Sequence, residues 1–267
     1  MARQRADTLA IACALAVVAV SMMSLGATTA VAGVTERVSV AVVGGEPNGE
    51  SMAPALSADG RFVAFHSEAT NLVVGDTNGA MDVFRYDRDT GDTIRVSVAT
   101  AGAEGNAGSY DPAISADGRY VAFDSDATNL VADDTNGAAD VFVHDCTTGE
   151  TSRVSVTTMG AQGNYGSYYP AISSDGRYVA FESDATNLVA GDLNFWTDVF
   201  VHDRETGETT RVSVTSGGVE GDDGSYWPAI SGDGRYVAFE SDAINLVAGD
   251  FNFWTDVFVH DRQTGET

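Results

Sequence analysis

The sequence predicts an all-β protein, a β-propeller of four four-stranded antiparallel blades, on three observations. A 58-residue unit recurs four times without slippage. Each unit reads as four short strands divided by turns rich in Gly and Asp. Outside a leading apolar segment, no stretch carries a convincing helical period. Repeated four-stranded sheets set around an axis make this architecture.

Four landmarks carry the period. Proline recurs at Pro54, Pro112, Pro170 and Pro228, and Asp-Gly-Arg begins at Asp59, Asp117, Asp175 and Asp233. Asp-Val-Phe begins at Asp82, Asp140, Asp198 and Asp256, and Arg-Val-Ser at Arg37, Arg95, Arg153 and Arg211. In the third unit, residues 170–173 read as a short strand a, and Asp175-Gly176 as a tight hairpin turn. Residues 177–183 alternate as strand b, with Val179, Phe181 and Ser183 on one side. Residues 198–203 form strand c, Gly207 suits a turn at positive φ, and residues 209–214 form strand d. Between 170–209 and 228–267 only Ser174/Gly232, Thr186/Ile244, Leu193/Phe251 and Glu205/Gln263 differ, which points to recent duplication.

The run Ser-x-Asp-Gly-Arg-Tyr-Val-Ala-Phe, followed by Asp-Val-Phe-Val-His-Asp-x-x-Thr-Gly-x-x-x-Arg-Val-Ser, resembles the blade motif of TolB-type, WD-repeat-like β-propellers. The resemblance spans essentially the whole chain after its leader. It implies the fold and not a function. Such proteins include exported accessory proteins that bind protein partners, and similar blades occur as non-catalytic domains of large serine peptidases. The chain departs from the pattern in its unit of 58 residues, against roughly 40–45 for such blades, and in having only four units.

Residues 1–32 read as a cleaved secretory signal peptide. Arg3 and Arg5 precede an apolar run over residues 9–20, and Ala30-Val31-Ala32 supplies a small-x-small cleavage pattern. The run is short for a span of about 20 residues, so an uncleaved anchor is the lesser reading and no stable membrane insertion is expected after cleavage. The expected location is extracytoplasmic: secreted, periplasmic or cell-surface. Residues 33–267 are assigned to the propeller, with units over 41–98, 99–156, 157–214 and 215–267. Residues 36–40 (Glu-Arg-Val-Ser-Val) read as a strand d with no blade before it. They are expected to complete the fourth sheet and close the ring, which would also remove exposed edges. The alternative is a truncated piece of a larger propeller.

Composition narrows the function. Lys+Arg is 14 against 39 Asp+Glu, for a net charge of −25, and every basic residue is arginine. Such a surface repels phosphates, which argues against nucleic acid and against anionic membranes. The two cysteines, Cys13 and Cys146, make no disulfide scaffold. No Gly-x-Ser-x-Gly elbow, His-Glu-x-x-His, phosphate loop or cysteine metal cluster occurs.

In a meandering sheet alternate connections share a face, so the long b–c and d–a loops gather on one side, the candidate functional surface. The b–c loops repeat oxygen donors at Asp76, Asn78, Asp82; Asp134, Asn136, Asp140; Asp192, Asn194, Asp198; and Asp250, Asn252, Asp256. Oxygens so spaced on a turning chain could converge on Ca²⁺, the only cofactor the sequence suggests. They could equally cap a turn by bonding to its backbone. Aromatics mark the last two units: Phe195-Trp196 and Phe253-Trp254 in the b–c loops, and Tyr168-Tyr169 and Tyr226-Trp227 before the strand-a proline. They suggest a sugar-stacking or protein-docking patch; packing between neighbouring blades is the competing reading. His144, His202 and His260 share a strand-c position and read as structural, His66 has no evident partner, and Cys146 is an incidental thiol. The expected function is a secreted, non-catalytic propeller that binds a protein or cell-surface glycan through its long-loop face. A calcium-binding structural module and a glycan-active enzyme are the alternatives.

Overall fold

In the computed structural model of the chain, residues 35–267 are described; the predicted signal peptide, over 1–32, lies outside them. Three four-stranded sheets and one three-stranded sheet follow one another as antiparallel meanders. Blade one comprises β1 (Ser51–Leu56), β2 (Phe62–Ser67), β3 (Asp82–Asp87) and β4 (Asp92–Arg95). Blade two comprises β5 (Ser109–Ile114), β6 (Tyr120–Ser125), β7 (Asp140–Asp145) and β8 (Glu150–Arg153). Blade three comprises β9 (Ser167–Ile172), β10 (Tyr178–Ser183), β11 (Asp198–Asp203) and β12 (Thr209–Arg211). Blade four comprises β13 (Ser225–Ile230), β14 (Tyr236–Ser241) and β15 (Asp256–Asp261). The first strands β1, β5, β9 and β13 contact one another in succession and form the inner wall of the propeller.

The core lies between blades, and the period of two puts it there. In β10, Val179 and Phe181 face one way while Ala180 faces the other. Val179 and Phe181, with Phe200, meet Ala122, Val141, Val143 and Val154 of blade two. Ala180, Val199, Val201 and Val212 meet Val237, Phe239 and Phe258 of blade four. At each of the three junctions the phenylalanine face of one blade thus meets the Val/Ala face of the blade before it.

At the tight-turn end, the Asp-Gly-Arg arginine forks onto the last aspartate of strand c. Arg177 donates from Nε to Asp203 Oδ1 at 2.9 Å and from Nη2 to Oδ2 at 2.7 Å. These charge-assisted bonds hold the Asp203 carboxyl far below the usual carboxylate range. Arg204 lies over the Tyr120 ring of the preceding blade, 4.4 Å from its centroid, and donates to the Gly176 carbonyl. Blade two has Cys146 where blade three has Arg204, and the contact is rebuilt from the other side. Arg85 of blade one, at a position where the other blades have valine, lies 4.4 Å from the Phe62 centroid and donates to Gly118 O at 2.7 Å.

Two expectations need correction. The fourth blade has three strands, and residues 35–40 form none. Val38 and Val40 pack instead on the phenylalanine face of blade one, against the cluster of Val63, Phe65, Leu72 and Phe84. Apart from a bridge between Asp261 and Glu266, the outer edge of β15 is unpartnered among the described residues. Its Val257 and Val259 are 73% and 52% exposed, whereas Val199 and Val201 at the same positions are fully buried by the next blade. The latch expected at residues 36–40 does not close the ring within the chain.

Candidate functional site

The b–c loops arise just beyond strand b. Register pairs Ser183 with both Ser167 and Asp198, so the b–c loop and the start of strand a share one end of the blade. The predicted candidate residues therefore lie at the long-loop end, as two features of different character.

The oxygen-rich loops hold a guanidinium. In blade three, Asn194 caps its turn: Trp196 N donates to Asn194 Oδ1 at 3.0 Å, and Asn194 Nδ2 donates to Asp198 Oδ2 at 3.4 Å and to Gly221 O at 3.0 Å. Arg211 then enters from strand d, with Nη1 2.9 Å from Asp198 Oδ2, 3.4 Å from Asp192 Oδ1 and 2.9 Å from Glu220 Oε2. Ser213 Oγ donates to Asp198 Oδ1 at 2.5 Å. Arg95 does the same for Asp76, Asp82 and Glu104, and Arg153 for Asp134 and Asp140, with Gln162 in the glutamate's place. Burial, then the charge of Asp198, push Asp192 up to about 6 against the pull of Arg211. Asn78 and Asn136 bond to Asp82 and Asp140 as Asn194 does to Asp198. Among the described residues, no group of three or more His, Cys, Asp or Glu side chains could hold a metal ion. In blade four, Asn252 bonds to Asp256 at 2.9 Å, and Asp250 Oδ1 is buried without a hydrogen bond. The missed partner was visible in the sequence: Arg-Val-Ser repeats with the same period as the aspartates.

The aromatic loops point outward. Phe195 and Phe253 are 82% and 79% exposed, beside exposed Trp196, Trp254, Leu193 and Phe251. The two phenylalanines adopt φ of +61° and +57°, the conformation that Gly79 and Gly137 hold in blades one and two at +64° and +65°. Nearer the axis, Tyr169 and Trp227 stand on the inner strands at φ of +50° and +53°, where the β9–β10 and β13–β14 registers shift. Their ring centroids are 4.2 Å apart, tilted by 36°. With Ala53, Asp111 and the four landmark prolines they line a depression of about 300 Å³ shared by all four inner strands. Tyr168 and Tyr226 are half-buried, with their hydroxyls folded over Gly166 and Gly224 of the approaching loop.

A polar ladder ties the second strand of each of blades one to three to the inner strand of the next. Asp111 N donates to His66 Nδ1 at 3.1 Å, Tyr169 N to Asp124 Oδ1 at 3.3 Å, and Trp227 N to Glu182 Oε2 at 2.8 Å. His66 thus has a partner after all, and its position one period before Asp124 was the available signal. Burial, then the charge of Asp111, push Asp124 up to about 7. Elsewhere, His202 Nδ1 bonds Thr209 Oγ1 at 2.9 Å and burial lowers its pKa to about 4. Burial raises the Cys146 thiol to about 11, away from the thiolate form.

No protein-family model and no curated protein matches the chain. Solved structures do. A putative TolB from Agrobacterium tumefaciens is similar at a TM-score of 0.51 and 17% identity, over 80% of this chain and 62% of that one. TolB from Acinetobacter baumannii is similar at a TM-score of 0.49 and 18% identity, over 81% of this chain and 42% of that one. An oligogalacturonate lyase in complex with manganese is similar at a TM-score of 0.46 and 15% identity, over 79% of this chain and 49% of that one. The chain spans less than two thirds of the length of each. With the inter-blade core and the inner wall, the likeness identifies the fold: this chain is a TolB-like β-propeller.

Proposed function

We propose that the chain is an extracytoplasmic, non-catalytic binding propeller that takes a protein or cell-surface glycan on its long-loop face. Phe195, Trp196, Phe253 and Trp254 make the contact, and the Tyr169–Trp227 pair extends it toward the axis. One observation carries the reading: Phe195 and Phe253 hold a left-handed backbone with their rings in water. That conformation costs a side-chain-bearing residue roughly 1–2 kcal/mol, and an exposed ring recovers none of it by packing. Blades one and two meet the same turn with glycine, so folding alone does not require the phenylalanines. Exposed rings on adjacent blades suit stacking on sugar faces or anchoring a protein partner. The non-catalytic part of the reading is supported by the protonated, buried Cys146 thiol and by His144, His202 and His260, each bonded to a threonine.

The double variant Trp196→Ala/Trp254→Ala is expected to lose binding to isolated cell envelopes by about tenfold or more, with an unchanged melting temperature. Pretreating the envelopes with protease or with glycosidase separates the two partner classes. Undiminished binding by the variant would reject the site.

A further inference from the structure

Each inner strand carries one left-handed residue, Ala53, Asp111, Tyr169 or Trp227, at φ between +45° and +53°. The register shift between strands a and b sets that backbone in all four blades. Ala53 meets it with a methyl group, so the fold requires neither the Asp111 carboxylate nor the two rings. All four residues line the axial depression. Charge sets this place apart from the rest of the long-loop end. In the b–c loops of blades one to three the carboxylates are matched by arginine, as Asp198 is by Arg211. At the axis they are not. Burial, then the charges of Asp111, Glu182 and Asp124, raise the Tyr169 hydroxyl, and all three charges are negative. Asp124 and Glu182 accept from the main-chain amides of Tyr169 and Trp227. Asp111, whose amide is bonded to His66, has no ion-pair partner for its carboxylate among the described residues. Ring faces and uncompensated carboxylates attract the same kind of group, a cation.

We propose that the axial depression receives an arginine side chain of a protein partner, its guanidinium against the Tyr169 and Trp227 rings and hydrogen-bonded to Asp111. This occupant presupposes that the long-loop face is the binding face, and it makes the partner a protein rather than a glycan. The ring centroids are 4.2 Å apart, which leaves no space for a group between them, so the guanidinium lies on the open side of the pair. It suits the place better than an ammonium does: it is planar, weakly hydrated, stacks on rings and offers a carboxylate a fork of donors. Size agrees. A depression of about 300 Å³ stands at the low end of the ligand-pocket range of about 300–1,000 Å³, with room for one long side chain. Asp111, Tyr169 and Trp227 stand on the consecutive inner strands β5, β9 and β13, so the contact is built within blades two to four. A net charge of −25 steers a basic segment toward it. Phe195, Trp196, Phe253 and Trp254 then hold the partner further out, and the arginine anchors it at the axis.

The chain has three tryptophans, so Trp196→Phe/Trp254→Phe leaves Trp227 as the sole indole, and its emission reports on the depression. Titration of that chain with the peptide acetyl-Gly-Ser-Arg-Ser-Gly-amide is expected to change the emission saturably. The same peptide with citrulline, neutral and of nearly the same shape, should bind about tenfold more weakly or worse. Asp111→Asn and, separately, Tyr169→Ala should each weaken binding of the arginine peptide about fivefold or more. Tyr169→Ala copies Ala53 at the same left-handed turn. Asp111→Asn keeps the amide that bonds His66, and it decides the matter should Tyr169→Ala fail to fold. No saturable change up to about 10 mM peptide, equal binding of the citrulline peptide, or undiminished binding by Asp111→Asn would overturn the assignment. So would tighter binding of triacetylchitotriose than of the arginine peptide, which would make the occupant a sugar. Because this titration lacks both outer indoles, it is scored apart from envelope binding. No response to the arginine peptide overturns the arginine alone, whereas a response beside undiminished envelope binding by Trp196→Ala/Trp254→Ala upholds it and overturns the outer contact.

Discussion

Arg153→Ala is expected to destabilise the chain by about 3–5 kcal/mol, seen as a fall in the urea midpoint with little change in slope. The side chain is nearly buried between blades two and three, 3.0 Å from Asp140 Oδ2 and 3.3 Å from Asp134 Oδ1. Burial, its largest influence on each, already raises both carboxyls, and the guanidinium opposes that rise. Removing it leaves two buried acids with only the neutral Asn136, Ser155, Gln162 and backbone around them, the costly half of a broken buried ion pair. The sign of the pH effect follows. Without the cation both acids titrate higher in the folded than in the unfolded chain, so the deficit is small below about pH 4 and grows as pH rises toward 7. The vacated pocket keeps oxygen donors from Asp134, Asp140, Asn136 and Gln162. Millimolar Ca²⁺ should therefore raise the melting temperature of the variant by more than that of the parent, in which only Asp250 and Asp256 of blade four lack an arginine among the described residues. Equal stability of variant and parent would mean that the arginine is not the counter-ion of these loops.

That cluster also shows what the sequence could reveal. Asp134, Asn136 and Asp140 are close in sequence, so their convergence was legible. Arg153 reaches them through the β7–β8 ladder, and its contacts depend on sheet register. Strand c was read to the residue at Asp198–Asp203, because Val-Phe-Val between aspartates is unambiguous. Strand a begins at Ser167, earlier than residues 170–173 suggested, since the register shift at Tyr169 breaks the alternation that marks a strand. Strand d ends at Arg211, short of Val214: Val212 makes a last bond to Val199 O at 2.8 Å while its side chain fills the core against blade four. Closure of the ring was the step beyond reach. A repeat counts blades, but the angle each subtends is set by how Phe181 and Phe200 seat on Val141 and Val143, which a period does not encode. The exposed Phe195 and Phe253 were legible as aromatics replacing glycines; their left-handed backbone was not.

Asp124→Asn is expected to stabilise the chain at pH 8 and to leave it nearly unchanged at pH 4. The carboxyl sits under the inner wall, almost wholly buried, where it accepts the Tyr169 amide at 3.3 Å. Burial and the neighbouring charges of Asp111 and Asp126 push it up to about 7 from an ordinary 3.8. The folded chain therefore holds this proton more tightly than the unfolded one. The stability it contributes is fully present below about pH 4 and is lost as pH rises through about 7. At about 1.4 kcal/mol per unit the upper bound is near 4 kcal/mol, and partial hydration of the site brings the expectation to roughly 2 kcal/mol. Asparagine keeps the acceptor for Tyr169 and has no charge to lose, so at pH 8 its melting temperature should stand about 4–8 °C above the parent's. The buried histidines act in the opposite sense: burial lowers the pKa of His66, His144, His202 and His260, so their contribution rises with pH up to about 6.5. Both proteins carry all four, and the difference between their stability–pH curves isolates Asp124. A difference that stays flat from pH 4 to 8 would show that Asp124 is already ionised in the folded chain at the acid end. The ladder beneath Tyr169 and Trp227 would then be held by a charged Asp124 across that range.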